Sequence, residues 1–304
     1  SSAASDVYKR QDHFDLLYSY DKNGNRLTED DGISLDQYNY DPASNRLTER
    51  QGALTKNYQY DEAGNTLSDG LHTYGYDAKN QLVEVAGIAS YFYNGLGQRI
   101  SKTVNSVQTH YVHDENGRLI VEYSAAGQAI QETVYLFGQP VAVLKGEDIY
   151  NVHADHLGSP RKITDQAGHV VWLWQDKPFG DSPVNQDPDG DGIAFVYNLR
   201  FPGQYFDSET GLHYNFHRDY DPKLGRYIQS DPIGLQGGLN TYLYANANPL
   251  NYTDPLGLNP AAGCVAGSWA GPVGCGVGAA IGTAVMGGVA PVSYTHLTLP
   301  TNRE

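Results

Sequence analysis

The chain has 304 residues, a net charge of −15 from 35 acidic and 20 basic residues, 24 tyrosines, 34 glycines and a single methionine. No Lys/Arg stripe is present, and with this acidic balance nucleic acid is not expected as a partner. High tyrosine and glycine with one methionine fits turn-rich β structure better than a helical enzyme core.

Residues 1–11, SSAASDVYKRQ, share no pattern with residues 12–258. Asp6 to Gln11 can be coded by GATGTGTATAAGAGACAG, and the reverse complement of that string, in another frame, codes Val292 to His296 near the other end. One DNA tag at both ends of an insert accounts for this, and the string resembles the transposon end used to tag sequencing libraries. Residues 1–11 and 292–304 are therefore set aside as a tag, and the rest is expected to be a fragment.

From residue 12 to 150 one phrase recurs, Tyr-x-Tyr-Asp followed by a turn. It stands at Tyr18/Tyr20/Asp21, Tyr38/Tyr40/Asp41, Tyr58/Tyr60/Asp61 and Tyr74/Tyr76/Asp77, with weaker copies at Tyr91/Tyr93/Asn94 and Tyr111/His113/Asp114. Two aromatics two residues apart share one face of a strand, and the Asp, Asn and Gly after them suit tight turns. Each copy predicts a strand, a turn and a strand. Lone hairpins are marginal in water, so serial copies predict an all-β antiparallel array whose paired tyrosines stack on those of the next repeat.

Beyond Glu132 the pattern stays β, with apolar and β-branched residues alternating with polar ones and cut by Gly158, Pro160 and Gly168. His153 and His156 form an HxxH, but no third ligand stands at metal-binding spacing, so a structural role is expected for both. Asp187, Asp189 and Asp191, with Gly192, copy the first half of a calcium loop. The twelfth position is Asn198 and not the bidentate glutamate, so an acidic solvated turn is the expectation and no metal or cofactor is assigned.

Residues 200–258 contain HRDYDP, SDPIGL and DPLGL. Asp221, Asp231 and Asp254 each precede a proline, which biases them to extended geometry at turn entrances. Metal-free peptide hydrolysis without a nucleophilic side chain calls for two nearby carboxyls, one protonated and one able to activate water, and a guanidinium can decide which is which. Turn capping is the competing use of the same aspartates.

With DHLGSPR and the tyrosine-aspartate phrases, these motifs resemble the Rhs/YD-repeat family over about residues 12–258: repeats at 12–150 and the Rhs-associated core domain at 151–258. The resemblance implies a hollow β shell capped by the core, which holds a variable C-terminal toxin and frees it by aspartic-protease-like self-cleavage. Carried over residue by residue, Arg218 and Asp219 take the places of the arginine and first aspartate, Asp231 that of the second, and the cut falls between Leu258 and Asn259. Asp254 belongs to the cleavage-site turn, with a catalytic part as the lesser reading.

The implied partners are the chain's own C-terminal toxin segment, missing here, and a secretion-apparatus component, in an exported, secreted or cell-surface protein. A different class, a non-cleaving surface or wall-associated protein whose tyrosines contact carbohydrate, is the alternative. Residues 259–291 carry no charge and space glycines four apart, which suits either a flexible leader to the toxin or a membrane-inserting element. Cys264 and Cys275 lie in that tail and offer neither a disulfide framework nor a CxxC site.

Overall fold

A computed structural model of the chain describes residues 5–9, 15–175, 177–258 and 261–262, with the backbone alone at 5–9, 15 and 261–262. The expectations for the tail beyond 262, for Asn259 and for residues 292–304 lie outside the described residues.

Every paired strand among the described residues is antiparallel, and helical structure is limited to two short 3-10 turns, Gly234–Gly237 and Ala245–Ala247. The repeats form a meander. Six strands from Ser5 to Asn57 make one sheet, a hairpin comes next at Gln59–Ser68, and eleven strands from Tyr74 to Leu173 make a second sheet in which each strand pairs with its sequence neighbour. Neither large sheet closes on itself. The boundary expected at 150 falls inside the strand Asp148–Ala154, and the sheet runs through it unbroken. Ser5–Lys9, within the residues set aside as a tag, pairs as the edge strand of the first sheet.

One turn geometry explains the repeats. Asp61 Oδ1 accepts the Asn65 amide at 2.8 Å, and the Asp61 and Asn65 backbones close the loop through a 3.0 Å bond. The same side-chain-oxygen-to-amide contact recurs at Asp21, Asp77, Asn94 and Asp114, and again at Asp155, which makes DHLGSP a further copy of the turn. Gly64 sits at φ +92°, and in the fourth copy Asn80 takes that place at φ 62°, as a residue tolerant of left-handed geometry can.

The first tyrosine of each phrase is buried: Tyr18, Tyr38, Tyr58, Tyr74, Tyr91 and Tyr111 are all 9% exposed or less. The second reaches back. Tyr40, Tyr76 and Tyr93 donate their hydroxyls to the carbonyls of Arg26, Thr66 and Leu82, in each case the residue just after the preceding repeat's turn. Tyrosines of neighbouring repeats share apolar clusters, as Tyr38 and Tyr58 do around Leu47. The ring contacts, however, depart from the expected repeat-on-repeat stacking. Tyr60 meets Tyr242, Tyr93 meets Tyr214 and Tyr111 meets Tyr205, all in the C-terminal segment. Arginines fill the space between repeats, Arg26 over Tyr18 and Tyr38, and Arg99 over Tyr91 and Tyr111.

That C-terminal segment carries a four-stranded sheet, Tyr205–Asp207, Leu212–Asn215, Arg218–Asp221 and Arg226–Tyr227, and lies along the tyrosine-lined face. Asn240 donates to Asn25 of the first turn, Tyr242 to the Gly64 carbonyl and Thr66 to the Ile228 carbonyl. Arg99 grips Asp207 with both terminal guanidinium nitrogens, at 2.6 and 3.0 Å, and Lys102 joins Asp207 to Glu209. The largest apolar cluster gathers Trp172, Trp174, Phe201, Tyr220, Tyr227 and Tyr244, and through Tyr220 it anchors the strand Arg218–Asp221.

Candidate active site

Alternation along a strand sends neighbouring side chains to opposite faces, and the strand Arg218–Asp221 separates Arg218 from Asp219 in this way. Arg218 is 2% exposed, and its guanidinium is fully engaged. Nη2 lies 3.0 Å from Asp231 Oδ2 and 3.3 Å from Asp254 Oδ2. Nε donates to the Gly257 carbonyl at 2.6 Å, Nη1 to the Thr241 carbonyl at 2.9 Å, and the group stacks 3.7 Å from the Tyr227 ring centre. One planar fork therefore ties two carboxyls to the backbone just ahead of Leu258.

Asp254 is 1% exposed. Its Oδ2 also accepts the Tyr227 hydroxyl at 2.9 Å, and its Oδ1 accepts the Leu258 amide at 3.0 Å. Asn215 Nδ2 donates to the Asp254 carbonyl at 2.8 Å and to the Tyr227 oxygen at 2.7 Å. The chain from Asp254 to Leu258 is threaded tightly here. A Cβ on Gly203 would lie 2.1 Å from the Pro255 carbonyl oxygen, and one on Gly257 would lie 2.6 Å from the Asn215 carbonyl oxygen.

Asp231 faces the same turn from the other side. Its Oδ1 accepts the Ile233 amide at 3.0 Å. Burial pushes its carboxyl above the usual range, against the opposing pull of Arg218. A Cβ on Gly237 would lie 2.3 Å from Asp231 Oδ2 and 3.0 Å from the Leu258 carbonyl oxygen, so carboxyl and carbonyl border one small space that only glycine leaves open.

Asp219 stands elsewhere. Gln229 accepts its amide and donates to its Oδ2, both at 2.7 Å, while Oδ1 is buried without a partner among the described residues. Burial pushes this carboxyl up to about 7, and the arginine that opposes the shift is Arg99, not Arg218. The structure thus brings Arg218, Asp231, Asp254 and Leu258 together, and sets Asp219 apart with Gln229.

Three contributors were not read from the sequence: Tyr227, Asn215 and Gly237. Alternation within HRDYD already separates Arg218 from Asp219. Nothing local in GRYIQSD marks Tyr227, because its role depends on which strand lies beside it.

The remaining candidates scatter. His153 Nε2 meets Thr164 Oγ1 and His156 Nε2 meets the Leu250 carbonyl, so the HxxH pair is split between two partners. Oxygens of Asp187, Asp189 and Asp191 lie within 4.8 Å of one another in an exposed turn. Two of these aspartates accept their own loop's amides, and Asn198 turns away to donate to Tyr205. Among the described residues no helix is long and apolar enough to cross a membrane.

Residues 3–250 match the model of the teneurin YD-shell family. The chain is 33% identical over 222 residues, 61% of its length, to double-stranded DNA deaminase toxin A of Burkholderia cenocepacia, of which it spans 15%. It is 39% identical over 137 residues, 45% of its length, to toxin protein Tse5 of Pseudomonas aeruginosa, of which it spans 9%. Its fold is similar to a solved structure of the Photorhabdus luminescens Tc holotoxin pore, with a TM-score of 0.56 at 18% identity, covering 81% of this chain and 15% of that one.

Proposed function

Because the chain belongs to the teneurin YD-shell family, we propose that it is shell and core of an exported polymorphic toxin, enclosing a C-terminal effector and releasing it by cutting its own backbone between Leu258 and Asn259. The observation that carries this reading is the Arg218 fork spanning Asp231 and Asp254 beside the Leu258 carbonyl.

The chemistry is that of a paired-carboxyl hydrolysis. A water gives one proton to Asp254 as its oxygen adds to the Leu258 carbonyl carbon. Asp231, held high by burial, gives its proton to the Asn259 nitrogen as the carbon–nitrogen bond breaks. The products are a Leu258 carboxyl and an Asn259 amine, and the proton on Asp254 restores Asp231 through solvent. Arg218 holds the two carboxyls at one spacing and fixes the Gly257 carbonyl, so the bond is presented in one orientation. In this assignment Asp254 takes the part that the family motif gives to Asp219, because Arg218 pairs with Asp254 and not with Asp219.

The toxin names of two relatives support an effector beyond the core. Carbohydrate binding by the tyrosine rows gains no support, since the first tyrosine of every repeat is buried.

Intact-mass measurement of the purified protein tests the proposal. Wild type yields one break, after Leu258, without added metal, and Asp231→Asn or Asp254→Asn leaves the chain whole. A folded wild-type protein that stays whole overturns it.

A further inference from the structure

Tyr227 is buried at 1% exposure within the main apolar cluster, yet its hydroxyl has a polar neighbour on each side. Asn215 Nδ2 donates to the phenolic oxygen at 2.7 Å, and Asp254 Oδ2 lies 2.9 Å away. An amide NH2 is a donor only, so the tyrosine oxygen must accept from Asn215, and the single hydroxyl proton is aimed at Asp254. Asn215 is itself wholly buried, with the same nitrogen bonded to the Asp254 carbonyl. The face of the ring is used as well, since the Arg218 guanidinium stacks on it at 3.7 Å.

We propose that Tyr227 is a positioning residue for self-cleavage, whose hydroxyl, oriented by Asn215, donates to Asp254 and makes that carboxyl the proton acceptor of the pair, leaving Asp231 as the donor. This rests on the reading of Arg218, Asp231 and Asp254 as the cleavage site. It explains an asymmetry the arginine alone does not create, because Nη2 touches both carboxyls. Asp254 gains the tyrosine proton and the Leu258 amide, whereas among the described residues Asp231 accepts from the Ile233 amide besides the arginine. Hydrogen bonds donated to a carboxylate favour its charged form, so the better-supplied group serves as base. The charged and titratable groups facing Asp254 are Arg218, Asp231, Tyr227 and, on the loop before the strand, His217.

The test is the pH profile of cleavage, tracked by intact mass after release from a denaturant-arrested state of the whole protein. Tyr227→Phe is expected to slow cleavage by about 10- to 100-fold, as loss of one hydrogen bond to a charged group does, and to move the acid limb to higher pH. Incorporation of 3,5-difluorotyrosine at 227 keeps the ring and sharpens the hydroxyl as a donor, so the acid limb moves to lower pH. A purely structural role predicts no such pair of opposite shifts. Should the phenylalanine variant fail to fold, the fluorinated protein decides alone. Wild type that cleaves while the acid limb stays fixed in the folded variants overturns the role of Tyr227 and leaves the cleavage site standing; wild type that never cleaves overturns both.

Discussion

Gln229 holds Asp219 from two directions, accepting its backbone amide and donating to its carboxyl, each at 2.7 Å. This leaves a buried acid with one oxygen unpartnered among the described residues, and burial raises it to about 7. A folded-state value above the ordinary 3.8 means that the native protein binds this proton more tightly than the unfolded chain. The contribution is therefore most favourable below about pH 4 and is lost as the pH rises towards 7. Asp219→Asn should flatten that part of the stability-against-pH curve and leave the variant more stable than wild type above pH 7, by on the order of 2 kcal/mol. Urea titrations at pH 5 and pH 8 check this, and a variant that loses stability at pH 8 would refute it.

Arg99 and Asp207 join the repeat strands to the C-terminal segment through a bidentate pair, 2% and 3% exposed. Removing Asp207 strands the Arg99 charge among Tyr91, Tyr111, Tyr205 and Tyr214, whereas removing Arg99 leaves Asp207 paired with Lys102 at 2.9 Å. Asp207→Ala should cost about 3–5 kcal/mol, and Arg99→Ala less, because Asp207 retains Lys102. The double variant should cost less than the sum, as groups in one network do. Additive losses in urea unfolding would reduce the pair to two independent packing contacts.

The array was legible because its cause is local: aromatics at period two and a turn acid recur whatever the tertiary setting, so the hairpins at Tyr18, Tyr38 and Tyr74 could be placed from the residues alone. What the rings touch was not legible. The partners of Tyr60, Tyr93 and Tyr111 lie more than ninety residues away, at Tyr242, Tyr214 and Tyr205, and no local pattern names them. Arg218 and Asp231 were legible as motif residues, whereas Asp254 reads from the sequence chiefly as part of a turn. Their meeting depends on the loop from Ser230 to Thr241 folding back over the strand Arg218–Asp221, where Thr241 accepts from Arg218.

Gly203 offers a probe that spares every titratable group. Its φ is +87° and a Cβ would collide with the Pro255 carbonyl, which sits on the segment leading to Leu258. Gly203→Ala should push that segment off Asn215 and Arg218, at a strain of about 1–3 kcal/mol. Cleavage should then fall by more than the stability loss explains, since a shift near 1 Å can cost about 100-fold in rate. Wild-type cleavage in a destabilised Gly203→Ala protein would show that the fit around Pro255 does not matter to the chemistry.

The two aspartate assignments separate cleanly by mutation. If Asp231 and Asp254 act as one unit, Asp231→Asn and Asp254→Asn each abolish cleavage, and the double variant is no slower than either single one. Asp219→Asn keeps the cleavage rate within a few-fold, because its carboxyl contacts Gln229 and lies outside the Arg218 fork. Arg218→Lys retains charge but cannot reach Asp231, Asp254 and the Gly257 carbonyl together, so slow cleavage is expected in place of none. Rates from the time course of intact mass distinguish the cases. Loss of cleavage in a stably folded Asp219→Asn, with Asp254→Asn still active, would return the catalytic part to Asp219 and require the strand Arg218–Asp221 to turn over in the reacting state.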